Sequence, residues 1–299
     1  MSLPLPRQAS RASGDLKAHV LQGGHSGAEV ILLADEADTF VRKSAQRTTG
    51  SARLLKQAVK QRLFAAQGLG FPRVRDMGVD ATRRAWFEMD YVPARTLGDL
   101  VRTQTPFDGE RIIGAIANLL ALFRSTESAT LSADLFRSKI ADIARVATDS
   151  ASATKHIAEL RRVAAALDAK DWSGIPASVS HGDLTFENIL IAPGGGVSFI
   201  DCDEPFASSW WLDAGKLFQD IAGAWCLHTL AAPSVGITER LVRLDGEMRA
   251  LAAEFDPALP PRLLQFAALH LLRTVAYSRS EGAVAFAIRR AARLLEIDP

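Results

Sequence analysis

Residues 180–204 read SHGDLTFENILIAPGGGVSFIDCDE. Two short apolar runs, "NILIA" and "VSFID", flank "PGGG", where glycines permit a tight turn. Asp183, Glu187, Asn188, Asp201, Asp203 and Glu204 cluster around that hairpin. Asp183 follows His-Gly and precedes a turn, Asn188 begins the first strand and Asp201 closes the second. The hairpin is expected to bring the turn and the far strand end together, placing two carboxylates and an amide oxygen around one small volume. Magnesium takes hard oxygen ligands, commonly one or two carboxylates plus substrate phosphates. Asn188 and Asp201 fit that set, and Asp183 is left to accept a proton from a hydroxyl nucleophile. A lone Asp-x4-Asn arises by chance in many chains. The same pair with "HG" before it and "FID" after it is far more specific.

Upstream of this stretch the chain reads as strands. "EVILLA" (29–34) and "TFVRK" (39–43) are β-branched and aromatic runs separated by a polar segment, as in a hairpin. "SARLLKQAVKQRLFAAQ" (51–67) carries Leu54, Leu55, Ala58, Val59 and Leu63 at helical spacing, and Gly68 can end it. "FPRVRDMGVD" and "RAWFEMDYV" predict two more strands. Beyond Pro93 the periodicity turns helical over 109–126, 136–148 and 153–169. It is helical again from Trp210 to the end, broken at "AAPSVG" and "FDPALPP". These patterns predict an α+β chain: a mobile lead-in over 1–18, a small antiparallel-sheet lobe over 19–92, and a larger, mostly helical lobe over 93–299.

"HGDLTFENIL" with "FIDCDE" resembles the catalytic loop and metal-binding motif of the aminoglycoside phosphotransferase and choline kinase-like family. These are small-molecule kinases with a bilobal, protein-kinase-like fold. The resemblance implies that Asp183 is the catalytic base, that Asn188 and Asp201 hold Mg2+, and that His181 supports the loop. It extends upstream. "GGHSGAEVILL" is similar to the family's nucleotide-covering loop, which would put Gly24, Ser26 and Gly27 against phosphate oxygens, though "GGHSG" also suits an ordinary hairpin turn. Lys43 stands where the family places the lysine that contacts the nucleotide phosphates. "FEMDYV" resembles the strand entering the hinge, so Glu88, Met89 and Tyr91 are expected beside the adenine. Downstream, "WLDAGKLFQD" resembles the helix after the metal motif. Its Asp213 matches an aspartate that braces the catalytic segment, and it also reads as a plain helix N-terminal acid. Asp203 is either a solvated acid or a contact to a second metal.

There is one departure. The family pairs the strand lysine with a glutamate on the following helix, and between Lys43 and Asp76 this chain has no acid. Gln57 or Gln61 is expected to orient the lysine through its carbonyl instead.

Composition narrows the partners. A net charge of +1 over 299 residues gives no basic field for nucleic acid. No apolar run reaches membrane-span length. The only cysteines, Cys202 and Cys226, allow one disulfide but suit a reducing cytoplasm better. The reaction implied is transfer of the γ-phosphate of ATP, or GTP, to a small-molecule hydroxyl. From Glu204 onward there are 11 acids against 10 Lys and Arg, a balance that speaks against a polycationic antibiotic as acceptor. A sugar, amino sugar or amino alcohol comes first, choline or ethanolamine next and an aminoglycoside third. An inactive, pseudokinase-like nucleotide binder is the competing class. A protein kinase is disfavoured by the short interval between Asp201 and Asp213. Trp210, Trp211 and Trp225 suggest a cation–π cage, but helix-core packing accounts for them more simply. Arg273, Tyr277 and Arg279 fit an anion pocket or a solvated helix face.

Overall fold

The computed structural model describes residues 17–21, 28–34, 38–148 and 150–297. They divide into two compact units: one runs to Pro93 and also takes in Ser198–Asp203, the other comprises Ala94–Val197 and the chain from Glu204 onward. Motif spacing along the chain did not reveal that the six residues carrying Asp201 belong with the first unit.

Among its described residues the first unit is an antiparallel five-stranded sheet with one α-helix. The strands are β1 (Lys17–Val20), β2 (Ala28–Ala34), β3 (Thr39–Ala45), β4 (Val74–Val79) and β5 (Ala85–Asp90), in the order β1-β2-β3-β5-β4. The β3–β5 register pairs Arg42 with Glu88 and Lys43 with Phe87. Side chains alternate across a strand, so Lys43 shares the buried face of β3 with Val41 and Ala45. That face packs with Leu54 and Ala58 of helix α1 (Ser51–Ala66) and with Phe87 and Met89 of β5. The buried stripe of α1 is Leu54, Gln57, Ala58, Gln61 and Phe64. Val59 and Leu63, expected inside, lie 49% and 59% exposed, because the helix turns its two glutamines inward instead.

The second unit is helical. It contains α2 (Leu97–Arg102), α3 (Gly109–Arg124), α4 (Ala133–Thr148), α5 (Ile157–Asp168), α6 (Trp210–Ile221), α7 (Val235–Phe255), α8 (Leu263–Val275) and α9 (Glu281–Leu294). Side-chain caps begin several of these: Asp108 for α3, Ser209 for α6, Ser234 for α7 and Ser280 for α9 each accept a backbone amide of the first turn. Strands β6 (Arg95–Thr96) and β7 (Ile189–Ile191) pair antiparallel in this unit.

Helix α6 is the centre of this unit, and every one of its residues is buried. It packs on α8 so closely that a Cβ added to Gly215 would lie 2.2 Å from Phe266 Cβ. Trp210 and Trp211 are core, at 0% and 3% exposure, which removes them from any ligand cage. Trp225 is half-buried and stacks on His228 with ring centroids 4.2 Å apart.

Candidate active site

The segment His181 to Asn188 belongs to the second unit and is held by one face of α6. Gly182 has φ 92°, a left-handed conformation that admits glycine readily, and this turn aims the two flanking amides at Asp213. Asp213 accepts the His181 amide at 2.5 Å and the Gly182 amide at 2.8 Å. One helical turn pair further on, Asp220 accepts the Phe186 amide at 2.8 Å. The His181 ring is fully buried, and its Nδ1 accepts the Asp183 amide at 3.3 Å. His181 therefore shapes the loop through hydrogen bonding.

Asp183 presents a carboxylate with 43% of its side chain exposed. Its two oxygens have separate tethers. Oδ1 lies 3.1 Å from Lys216 Nζ on α6, and Oδ2 accepts from Asn188 Nδ2 at 3.0 Å. Partial desolvation acts to raise this carboxyl. The Lys216 ammonium, by charge and hydrogen bond, outweighs that with help from His181 and Arg273, and holds the group below the ordinary carboxylate range. Asn188 Nδ2 also donates to the Asp183 main-chain carbonyl at 2.7 Å. With its nitrogen so engaged, the oxygen of the amide is the atom left for a cation. Asp220 behaves oppositely. Burial drives its carboxyl up to about 7, against the Phe186 amide and the Lys216 charge that lower it.

The first unit carries the other expected residues. Lys43 is 1% exposed and its Nζ pairs with Asp201 Oδ1 at 2.5 Å. Asp201 sits at φ 58°, a left-handed conformation that is strained for a residue with a Cβ and tends to mark functional positions. Gln57 and Gln61 do not orient this lysine. Gln57 Nε2 donates to Asp203 Oδ1 at 3.2 Å, and Gln61 Nε2 donates to the Pro72 carbonyl at 2.9 Å and to Met89 Sδ at 3.2 Å. Arg53, Gln57 and Lys60 of α1 grip Asp203: Arg53 Nε at 2.9 Å and Gln57 Nε2 on its carboxylate and Lys60 on its carbonyl. Asp203 thus anchors the chain after Asp201 to α1.

Glu88 accepts from Arg42 Nε at 3.1 Å and is 7% exposed, Met89 is buried under Gln61, and Tyr91 is 38% exposed. Gly24, Ser26 and Gly27 lie outside the described residues. Arg273 Nη1 donates to His270 and its guanidinium lies over Phe206, while Tyr277 is 68% exposed. Cys202 and Cys226 are free and buried. Desolvation pushes the Cys202 thiol up to about 12 and raises Cys226 as well, so both are inert.

Sequence reasoning passed over Lys216 and Asp220. Asp213, Lys216 and Asp220 stand at i, i+3 and i+7 as the charged residues of a largely apolar helix, and that spacing of charge on one face was a usable signal.

An antiparallel sheet followed by a helical region, with a buried strand lysine paired to an aspartate, is the arrangement of the protein-kinase-like small-molecule kinases. The chain belongs to the phosphotransferase enzyme family, whose profile matches residues 17–232. No curated protein matches it by sequence. Among solved structures it is similar to a thermostable mutant of aminoglycoside phosphotransferase APH(4)-Ia in its apo form, at 16% identity and TM-score 0.64 over 94% of each chain. A variant of that enzyme in ternary complex with ADP and hygromycin B aligns at 16% identity and TM-score 0.59 over 94% of this chain and 93% of that one. A microcompartment-associated aminopropanol kinase aligns at 16% identity and TM-score 0.61 over 94% of this chain and 90% of the other.

Proposed function

We propose that this protein transfers the γ-phosphate of ATP to a hydroxyl of a sugar, amino sugar or amino alcohol. The observation that carries the reading is the half-exposed Asp183 carboxylate, held ionised and tethered at both oxygens. In the reaction the acceptor oxygen attacks the γ-phosphorus and the bond from that phosphorus to the β,γ-bridging oxygen breaks. ADP leaves, and the hydroxyl proton passes to Asp183. The transferred group does little covalent chemistry with protein, so positioning and charge neutralisation are the protein's work. Lys43 steadies the phosphates once it parts from Asp201. Asn188 and Asp201 would each offer magnesium a hard oxygen donor. Their donors suit that ion, since Asn188 has only its amide oxygen uncommitted and Asp201 is a carboxylate. When bound, magnesium would neutralise charge on the phosphates.

The similar enzymes are named for aminopropanol and for an aminoglycoside, and a small hydroxylated acceptor is common to both. The near balance of acids and bases after Glu204 favours a less cationic acceptor than an antibiotic. The test is ATP consumption by the purified protein with a panel of sugars, amino sugars and amino alcohols, beside an Asp183→Asn control. Turnover with at least one acceptor, lost in the control, is the expected result. Nucleotide binding with no turnover above the control would make this a non-catalytic nucleotide-binding module.

A further inference from the structure

Helix α6 reaches the catalytic segment three times from one face, through Asp213, Lys216 and Asp220. The two aspartates hold backbone amides. Lys216 alone reaches a side chain, and that side chain is the reacting carboxylate. The lysine is 8% exposed, on a helix with no solvent-facing residue. A buried ammonium is costly unless it is paired. Asp220, four residues on, is buried with its carboxyl pushed up to about 7, which makes it a poor counter-charge. Lys216 Nζ lies instead 3.1 Å from Oδ1 of the half-exposed Asp183.

The surrounding charges narrow the task to Lys216. His270 on α8 brings Nε2 to the Leu212 carbonyl at 3.0 Å and Nδ1 to Arg273 Nη1 at 3.0 Å. Arg273 can only donate, so Nδ1 accepts, the ring is neutral, and burial together with Lys216 and Arg273 keeps it so. Arg273 is engaged by that ring and by Phe206. His181 gives its Nδ1 to the Asp183 amide, and Glu187 is paired with Arg102. Asp220 holds the Phe186 amide. Among the described residues, Lys216 and Asn188 place side-chain donors on the Asp183 carboxylate, one on each oxygen.

We propose that Lys216 is a positioning residue for phosphoryl transfer: it clamps Oδ1 of Asp183 while Asn188 holds Oδ2, fixing the rotation of the carboxylate toward the acceptor. This rests on Asp183 being the base. Two tethers on two different oxygens remove the free rotation about the Cβ–Cγ bond. A base must stand within hydrogen-bond reach of the proton it takes, and a misplacement of about 1 Å costs on the order of 100-fold in rate.

The experiment uses the full chain and needs no acceptor, because MgATP hydrolysis with water reads the same carboxylate. Lys216→Met keeps the length and removes the charge; Lys216→Arg keeps the charge. For Lys216→Met the expected kcat is lower by on the order of 100-fold, with KM for ATP unchanged. Lys216→Arg recovers part of the loss, and adding Lys216→Met to Asp183→Asn costs nothing further, since the lysine acts through the aspartate. Wild-type kcat in Lys216→Met, or a full additional loss in the double variant, overturns the proposal. If Lys216→Met does not fold, 15N spectra of the lysine side chains decide. The Lys216 ammonium protons are expected to exchange slowly in the wild type and to speed up in Asp183→Asn; indifference to that change overturns the clamp. Hydrolysis equal in the wild type and Asp183→Asn would instead overturn Asp183 as base, leaving the 15N result to judge the contact by itself.

Discussion

Replacing Asp220 with asparagine removes an ionisable group and leaves an oxygen that can still accept the Phe186 amide. The native carboxyl is buried and pushed up to about 7 from 3.8. A carboxyl whose pKa is raised on folding binds its proton more tightly in the native state. Its contribution to stability is therefore complete below pH 3.8, and is lost as pH climbs toward about 7. Each pH unit within that window costs about 1.4 kcal/mol, so the penalty relative to an uncharged side chain is about 1.7 kcal/mol at pH 5 and about 4 kcal/mol at pH 8. Any fixed cost of exchanging a hydroxyl for an amide cancels when the two pH values are compared. The quantity to measure is the difference in unfolding free energy between Asp220→Asn and wild type, from urea transitions at pH 5 and pH 8. It should move in favour of the variant by about 2.5 kcal/mol between the two. A difference that stays flat would mean that Lys216 keeps Asp220 ionised throughout, and would refute the assignment of burial as the dominant influence on this group.

Asp183→Ala should reduce acceptor turnover by at least about 100-fold while sparing nucleotide affinity, read by steady-state kinetics beside ATP titration. Asp201→Ala should weaken magnesium-dependent nucleotide binding, visible as the loss of a magnesium effect in calorimetric titration, and should also strand Lys43 in the core without its partner. Gln57→Glu does not restore the family ion pair, because residue 57 faces Asp203. The added carboxylate should lower stability by about 1 kcal/mol, measured by thermal unfolding, and a gain in stability would contradict that geometry. Gly215→Ala drives a methyl group into Phe266 and should cost about 1–3 kcal/mol or more. Its kcat should fall as well, since α6 carries Lys216.

The fold was legible where periodicity was strong. The alternation in 29–34 and 39–43 and the long helical runs after Pro93 left little room for other assignments. The two faces of α1 escape the pattern: Val59 and Leu63 fall at core spacing yet face out, whereas Gln57 and Gln61 are inside, where hydrogen bonds to Asp203, Pro72 and Met89 satisfy them. Polar residues that find buried partners defeat a pattern built on hydrophobicity. In the site, Asp183 and Asn188 were readable because five residues of sequence fix their neighbourhood. Lys216 and Arg53 were not, since their meaning lies in contacts 33 and 150 residues away along the chain. The absent helix acid was visible, but its replacement by a basic face that holds Asp203 belongs to tertiary geometry alone.

Asp213, Lys216 and Asp220 ride on one stiff rod, so any error in how that rod is seated reaches all three together. A substitution in the buried aromatic layer around Phe266 and Trp172 would be felt twice over, as lost heat resistance from the broken packing and as slower turnover from the shifted rod. Variants selected only for toughness would be expected to drift in speed, because here the accuracy of the chemistry is stored in the oily interior.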